Sequence, residues 1–203
     1  MANANRPSGL SPVQYLNGTP WNGGCRTYVI LNTEDTNAYA IGDPVKLASG
    51  ADAAGIPSVV LYAAGGGVDA PCVGVIVGVN GSVYGGAFGV PSTDPIVIPA
   101  TKTKDYYVLV CDDPNVIFEV QEIGTGTYLA AADVGLNADL VAGTNNGYVS
   151  GWMLTNSTEA VTATLDCKIL QLAPRADNAI GQYAKWWVTI NNHAYRTSVK
   201  SVA

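Results

Sequence analysis

Residues 106–121 read Tyr-Tyr-Val-Leu-Val-Cys-Asp-Asp-Pro-Asn-Val-Ile-Phe-Glu-Val-Gln, and this stretch decides the fold class. Two runs rich in β-branched and aromatic residues, 106–111 and 116–120, flank Asp112, Asp113, Pro114 and Asn115. Asp at the first turn position and Pro at the second suit a type I turn, so the stretch predicts a β-hairpin. Strand side chains alternate between faces, which turns Val116, Phe118 and Val120 to the core and Ile117, Glu119 and Gln121 away from it.

The same reading extends along the chain. Strands are expected over 25–31, 45–47, 56–62, 72–79 and 183–190, with Trp186, Val188 and Ile190 on one face of the last. Residues 161–169 give the cleanest period of two: Val161, Ala163, Leu165, Cys167 and Ile169 against Thr162, Thr164, Asp166 and Lys168. In 72–79, Val73, Val75, Val77 and Val79 take one face. Gly74 and Gly78 lie on the other, where a second backbone can come close. Residues 80–95 form a Gly/Ser/Pro loop, and the one helical turn falls at 129–133, ended by Gly135. Short strands joined by Gly/Pro turns predict an all-β chain, a single β-sandwich, jelly roll or β-barrel spanning 25–203. Residues 1–24 are rich in Pro, Gly and Asn and lack continuous alternation, so they read as an extended N-terminal arm.

Composition narrows the function. Only 13 % of the 203 residues are charged, about half the usual share, which excludes coiled coils and charged disordered tails and suits a chain held in an assembly. All 16 acids lie in residues 34–177, while Arg6, Arg26, Lys185, Arg196 and Lys200 occupy acid-free ends. An acidic body repels nucleic acid, and basic ends suit an acidic protein surface. The longest apolar run, 73–79, is too short to span a membrane, and the N-terminus lacks the apolar core of a secretory signal. Cys25, Cys72, Cys111 and Cys167 have no metal-ligand spacing; their even number allows disulfides, but three sit in apolar strand-like runs, and the better reading is small reduced core residues from a reducing cytoplasm.

Chemistry is sparse. His193 is the sole histidine, too few for a zinc site built on histidines. It reads as a strand-end hydrogen-bonding residue, with a Cys111–His193 or Cys167–His193 dyad as the catalytic alternative. The carboxylates Asp112, Asp113, Glu119 and Glu122 could supply a glycosidase pair, although turn geometry and alternation already explain the first three. The acidic run 34–37 reads either as a solvated turn or as a calcium loop without regular ligand spacing. No catalytic residue, metal or cofactor is assigned. The apolar anchors of the arm, Leu10, Tyr15, Leu16 and Trp21, together with Arg6 and Trp187, are the expected partner-binding residues. Trp21 leads them, because tryptophans are enriched at interface hot spots.

Six segments carry a resemblance: Asn17-Gly-Thr-Pro-Trp-Asn22, Ile41-Gly-Asp-Pro-Val45, Cys111-Asp-Asp-Pro-Asn-Val-Ile-Phe-Glu-Val-Gln121, Ala132-Asp-Val-Gly-Leu-Asn-Ala-Asp139, Ala176-Asp-Asn-Ala-Ile-Gly181 and Ile190-Asn-Asn-His193. In this order the chain resembles head decoration, or capsid cement, proteins of tailed bacteriophages. The resemblance implies a compact β fold without catalytic residues, made in the host bacterial cytoplasm. It implies binding as a homodimer or homotrimer to the major capsid protein on the outer surface of the virion. The alternative is a carbohydrate- or receptor-binding β-sandwich on the virion, which exposed coplanar Trp152, Trp187 and Tyr195 would favour.

Overall fold

The structure is a computed structural model that describes residues 3–80 and 97–196. The loop expected at 80–95 lies, but for Asn80, outside the described residues, as does Lys200. The chain is 39 % strand and 3 % helical, which places it in the all-β class. The strands are β1 (Ser11–Tyr15), β2 (Arg26–Ile30), β3 (Pro44–Ala51), β4 (Pro57–Leu61), β5 (Cys72–Asn80), β6 (Tyr106–Cys111), β7 (Val116–Gln121), β8 (Asn137–Ala138), β9 (Leu140–Val141), β10 (Met153–Leu154), β11 (Cys167–Leu172) and β12 (Lys185–Ile190). A 3-10 turn at Ala131–Asp133 occupies the expected helical position.

Two bodies pack together. The first is a closed barrel in the order β2-β4-β3-β5-β6, and the second is a five-stranded sheet in the order β1-β7-β12-β11-β8. Tyr28, Ile30, Val45, Val59, Val108 and Val110 fill the barrel. The larger core joins Val75 and Cys111 of the barrel strands to Phe118, Val120, Ile169, Trp186 and Val188 of the sheet, with Trp152 among them.

The turn at 112–115 is present, with Val116 N–H donating to the Asp113 carbonyl at 3.2 Å, but it closes no hairpin. β6 pairs with β2 and β5, whereas β7 pairs with β1 and β12. The chain therefore changes sheets at this turn. The turn chemistry is local and was legible, while strand pairing is decided by residues far away in sequence. Gly74 permits the junction: a Cβ there would stand 2.2 Å from the Cys111 carbonyl oxygen. The simple alternation expected over 72–79 is broken, with Val73 in the barrel and Val75 in the larger core.

Residues 161–166 are not strand. Val161 is 86 % exposed, and regular pairing starts only at Cys167. Alternating Thr and Ala gives this stretch little apolar area to bury, so pattern alone does not hold it on a sheet. Ile117 and Gln121, expected on the outer face, are buried. Phe118 lies in the core as expected, 1 % exposed.

The arm is the largest correction. Residues 11–15 form β1 along β7, with a register shift between Pro12 and Gln14 that accommodates the proline. The other edge of β1 is covered by its own return: Tyr15 N–H donates to the Thr19 carbonyl at 2.8 Å, and Trp21 N–H to the Val13 carbonyl at 3.0 Å. Leu10 is buried, and Tyr15 and Trp21 pack half-buried against the larger core. Gly9, at φ +65°, lies so close to Gly42 that a Cβ would meet its carbonyl oxygen at 2.2 Å. These anchors are satisfied by the chain's own body.

Two outcomes follow. Phe118→Ala removes a buried ring and is expected to cost about 3–5 kcal/mol in urea unfolding. Deleting residues 2–16 strips β1 from β7 and is expected to lower the melting temperature sharply. An unchanged melting curve would show that the segment contributes nothing to the fold.

Candidate functional site

The N-terminal segment is stitched across the outer side of the sheet. Asn3 Nδ2 donates to the carbonyls of Ala179 (2.8 Å) and Gln182 (2.9 Å), and Ala179 N–H donates back to its Oδ1 (3.0 Å). Gln121 Oε1 accepts from Arg6 N–H at 2.8 Å, and its Nε2 donates to Asn5 Oδ1 at 3.0 Å. This use of Gln121 explains its burial, and alternation alone could not reveal it.

The strap leaves a cleft on either side. One, of about 470 Å³, is lined by Asn5, Arg6, Ser8, Thr144, Asn146 and Ser150 among others. The other, of about 100 Å³, holds Arg6, Arg175, Asp177, Asn178, Tyr183 and Lys185. Tyr183 is the one non-glycine residue among those described with positive φ, at 61°, an uncommon backbone state for a bulky side chain. Arg175 bridges Glu119 (3.0 Å) and Asp177 (3.1 Å), while Lys185 stands 3.7 Å from Glu119. Arg6 lines both clefts, is exposed, and has no carboxylate partner among the described residues. The larger cleft mixes the amides and hydroxyls of Asn5, Ser8, Thr144, Asn146 and Ser150 with Pro7 and Val149, and the Arg6 guanidinium at its edge suits a carboxylate.

The remaining expected partner residues divide. Leu16 is 49 % exposed beside the strap's hairpin. Trp187 sits half-buried on the outer row of the sheet between Glu119 and Gln171, its Nε1 buried without a hydrogen-bond partner among the described residues. Trp152 is 2 % exposed inside the larger core, so Trp152, Trp187 and Tyr195 form no common exposed face.

The other candidates are spoken for. The acidic run 34–37 holds an ammonium: Lys102 Nζ donates to the Asp35 carbonyl (3.0 Å), Asp35 Oδ1 (2.8 Å) and the Asn37 carbonyl (2.8 Å). Its nearest acidic side chain is thereby neutralised by the chain's own cation. Asp112 binds Arg26 Nε and accepts from Tyr28 Oη at 2.6 Å, tying β2 to the sheet crossing. Asp166, expected on the polar side of the 161–169 alternation, is instead buried and accepts from Tyr62 Oη (2.6 Å) and the N–H groups of Gly65 (3.0 Å) and Leu140 (2.9 Å). His193 Nδ1 accepts from Tyr195 N–H at 3.1 Å, and neither Cys111 nor Cys167 is hydrogen-bonded to it. The carboxylates named as a glycosidase pair are scattered: Asp112 serves the crossing, Glu119 the ion pairs, and Glu122 the core beneath Leu129 and Trp186. No known protein family, curated protein or solved structure matches this chain.

Two buried groups titrate in opposite senses. Burial raises Glu122 from 4.5 to about 7, against hydrogen bonds from Leu129 N–H and Trp186 Nε1. Burial, helped by Arg196, lowers His193 from 6.5 to about 4. Between pH 4.5 and 7 the folded state holds the Glu122 proton more tightly than the unfolded chain does, so this group's contribution falls as pH rises. His193 does the reverse between about 4 and 6.5. Glu122→Gln is therefore expected to gain stability relative to the parent as pH rises from 4.5 to 7. Parallel stability–pH curves for the two proteins would refute this placement of the carboxyl.

Proposed function

We propose that this chain is a structural virion protein that binds the outer surface of a phage capsid and cements neighbouring major capsid subunits, docking through the strapped face around Arg6. The observation that carries the reading is the guanidinium of Arg6, without a carboxylate partner among the described residues and set between two clefts on an otherwise acidic protein. A charge left without a partner on a stitched segment is pre-organised for an acidic surface, because little entropy is lost when it binds. The resemblance to decoration proteins supports the same reading. Its six segments fall largely at the joints of the fold: the β1 return, the entry to β3, the sheet crossing with β7, the stretch from the 3-10 turn through β8, the turn before β12, and the end of β12.

The mechanism is additive burial. A rigid body that spans two capsid subunits adds surface that exists only in the assembled shell, and mass action then favours that shell. The oligomer expected with it is a homodimer or homotrimer.

Co-sedimentation with heads of the phage that encodes the chain tests the reading. The parent is expected to pellet with heads. Arg6→Glu is expected to lower occupancy about tenfold, as loss of roughly 1.4 kcal/mol would, with an unchanged melting temperature. Failure of the parent to bind heads, or retention by a glycan array instead, would reject the cement reading in favour of the carbohydrate-binding one.

A further inference from the structure

The four cysteines are free, and two of them, Cys25 and Cys111, lie near enough for one to act on the other's thiol. β2 and β6 run antiparallel in unbroken register from Ile30 opposite Tyr106 to Arg26 opposite Val110. Continued by one residue beyond β2, the same register brings Cys25 opposite Cys111. Parity agrees: Tyr28 and Ile30 point into the barrel with Val108 and Val110, whereas Val29 and Tyr107 point outward. Cys25 and Cys111 fall on that outward side, and Cys111 lines the larger core there. Directly opposed residues of an antiparallel pair have Cα atoms about 4.5–5.5 Å apart, within the roughly 4.4–6.8 Å that a disulfide spans.

Access is unequal. Cys25 is half-buried just before β2, and Cys111 is fully buried at the end of β6. The Cys25 sulfur is among the groups acting on the Cys111 thiol, which burial first, and the neighbouring acids and Cys25 further, push up to about 12. Cys72 and Cys167 also influence one another, but both are sealed in the core, and the Cys72 thiol donates to the Val45 and Gly74 carbonyls.

We propose that Cys25 and Cys111 form a cross-strand dithiol that a small-molecule disulfide, such as oxidised glutathione, converts into an intrachain disulfide. In the first step the Cys25 thiolate, its proton given to solvent, attacks one sulfur of the small disulfide and expels one small thiolate. In the second, the Cys111 thiolate attacks Cys25 Sγ and expels the other. Each leaving thiolate takes up a proton. Two protein thiols are oxidised, and one small disulfide is reduced to two thiols. Raised thiol pKa values make the exchange slow, and the enforced proximity of Cys111 resolves the mixed disulfide. The link closes the chain from the start of β2 to the end of β6, so it constrains the unfolded state across all the barrel strands. A protein made in a reducing compartment and later exposed to an oxidising one would carry the dithiol first and the bond afterwards. This inference does not depend on the capsid reading.

The test incubates the reduced full-length protein with oxidised glutathione and follows intact mass, thiol count in denaturant and peptide maps. The expected product has lost the mass of two hydrogen atoms and two titratable thiols, yields one linked peptide pair containing Cys25 and Cys111, and melts at higher temperature than the reduced protein. Cys25→Ser, at the less buried position, is expected to abolish all four changes. A retained thiol count, a glutathione adduct on Cys25 that never resolves, or a linked Cys72–Cys167 pair would each overturn the assignment.

Discussion

The chain passes from barrel to sheet in the four residues 112–115, and the two bodies depend on that crossing being held. Asp112 carries most of the burden. Its carboxylate takes Arg26 and Tyr28 from β2, and Tyr28 Oη lies 2.7 Å from Tyr195 Oη. Arg196 donates to the Pro114 carbonyl at 2.5 Å, so residues just beyond the end of β12 close over the same turn. On the barrel side the Cys111 carbonyl rests against Gly74. Because one hub fixes β2, β5, β6 and β7 at once, the inner face of the sheet is presented to the outer face of the barrel at one angle. Phe118 and Val188 can then share a core with Val75.

The strap is the second consequence. With β7 placed by the crossing, β1 gains a partner and residues 3–10 are drawn over Gln121 and against Gly42. The apolar anchors that an isolated segment would expose are mostly consumed by the protein's own core. What remains outward is Arg6 with its two clefts, the ion pairs of Glu119, Arg175, Asp177 and Lys185, and the exposed Leu16. The docking we propose through this face would draw on charge complementarity and a preformed shape more than on hydrophobic insertion.

Class and element positions were legible because β-branched runs and turn residues act locally. A turn at 112–115, a strand within the expected 183–190 and a 3-10 turn beside Gly135 appear as the sequence suggests, but the hairpin expected around that turn is a crossing between sheets. Three features were not legible, each for a physical reason. Whether 106–111 pairs with 116–121 depends on β2 and β12, which compete for the same edges from many residues away. The alternation at 161–166 lacks large side chains, and Val161 stays in water. The strand at 11–15 contains a proline and is half-buried throughout, so it shows no two-faced pattern. For the site, Arg6 was legible as a cation in an acid-free end. Gln121, Asp166 and the Lys102 ammonium in the acidic loop act through contacts between distant segments, and residue type alone does not announce them.

The N-terminal segment belongs to the fold and, in the function proposed, presents the docking face. Amide hydrogen exchange of the free protein and of the same protein on capsids tests this most directly. The N–H groups of Leu10, Tyr15 and Leu16, bonded to Gly42, Thr19 and Asn115, should be protected in the free protein. Added protection on capsids should concentrate in residues 3–8 and 144–151. Free amides at Leu10, Tyr15 and Leu16 that become protected only on the capsid would contradict the account, because the segment would then be an intermolecular clamp.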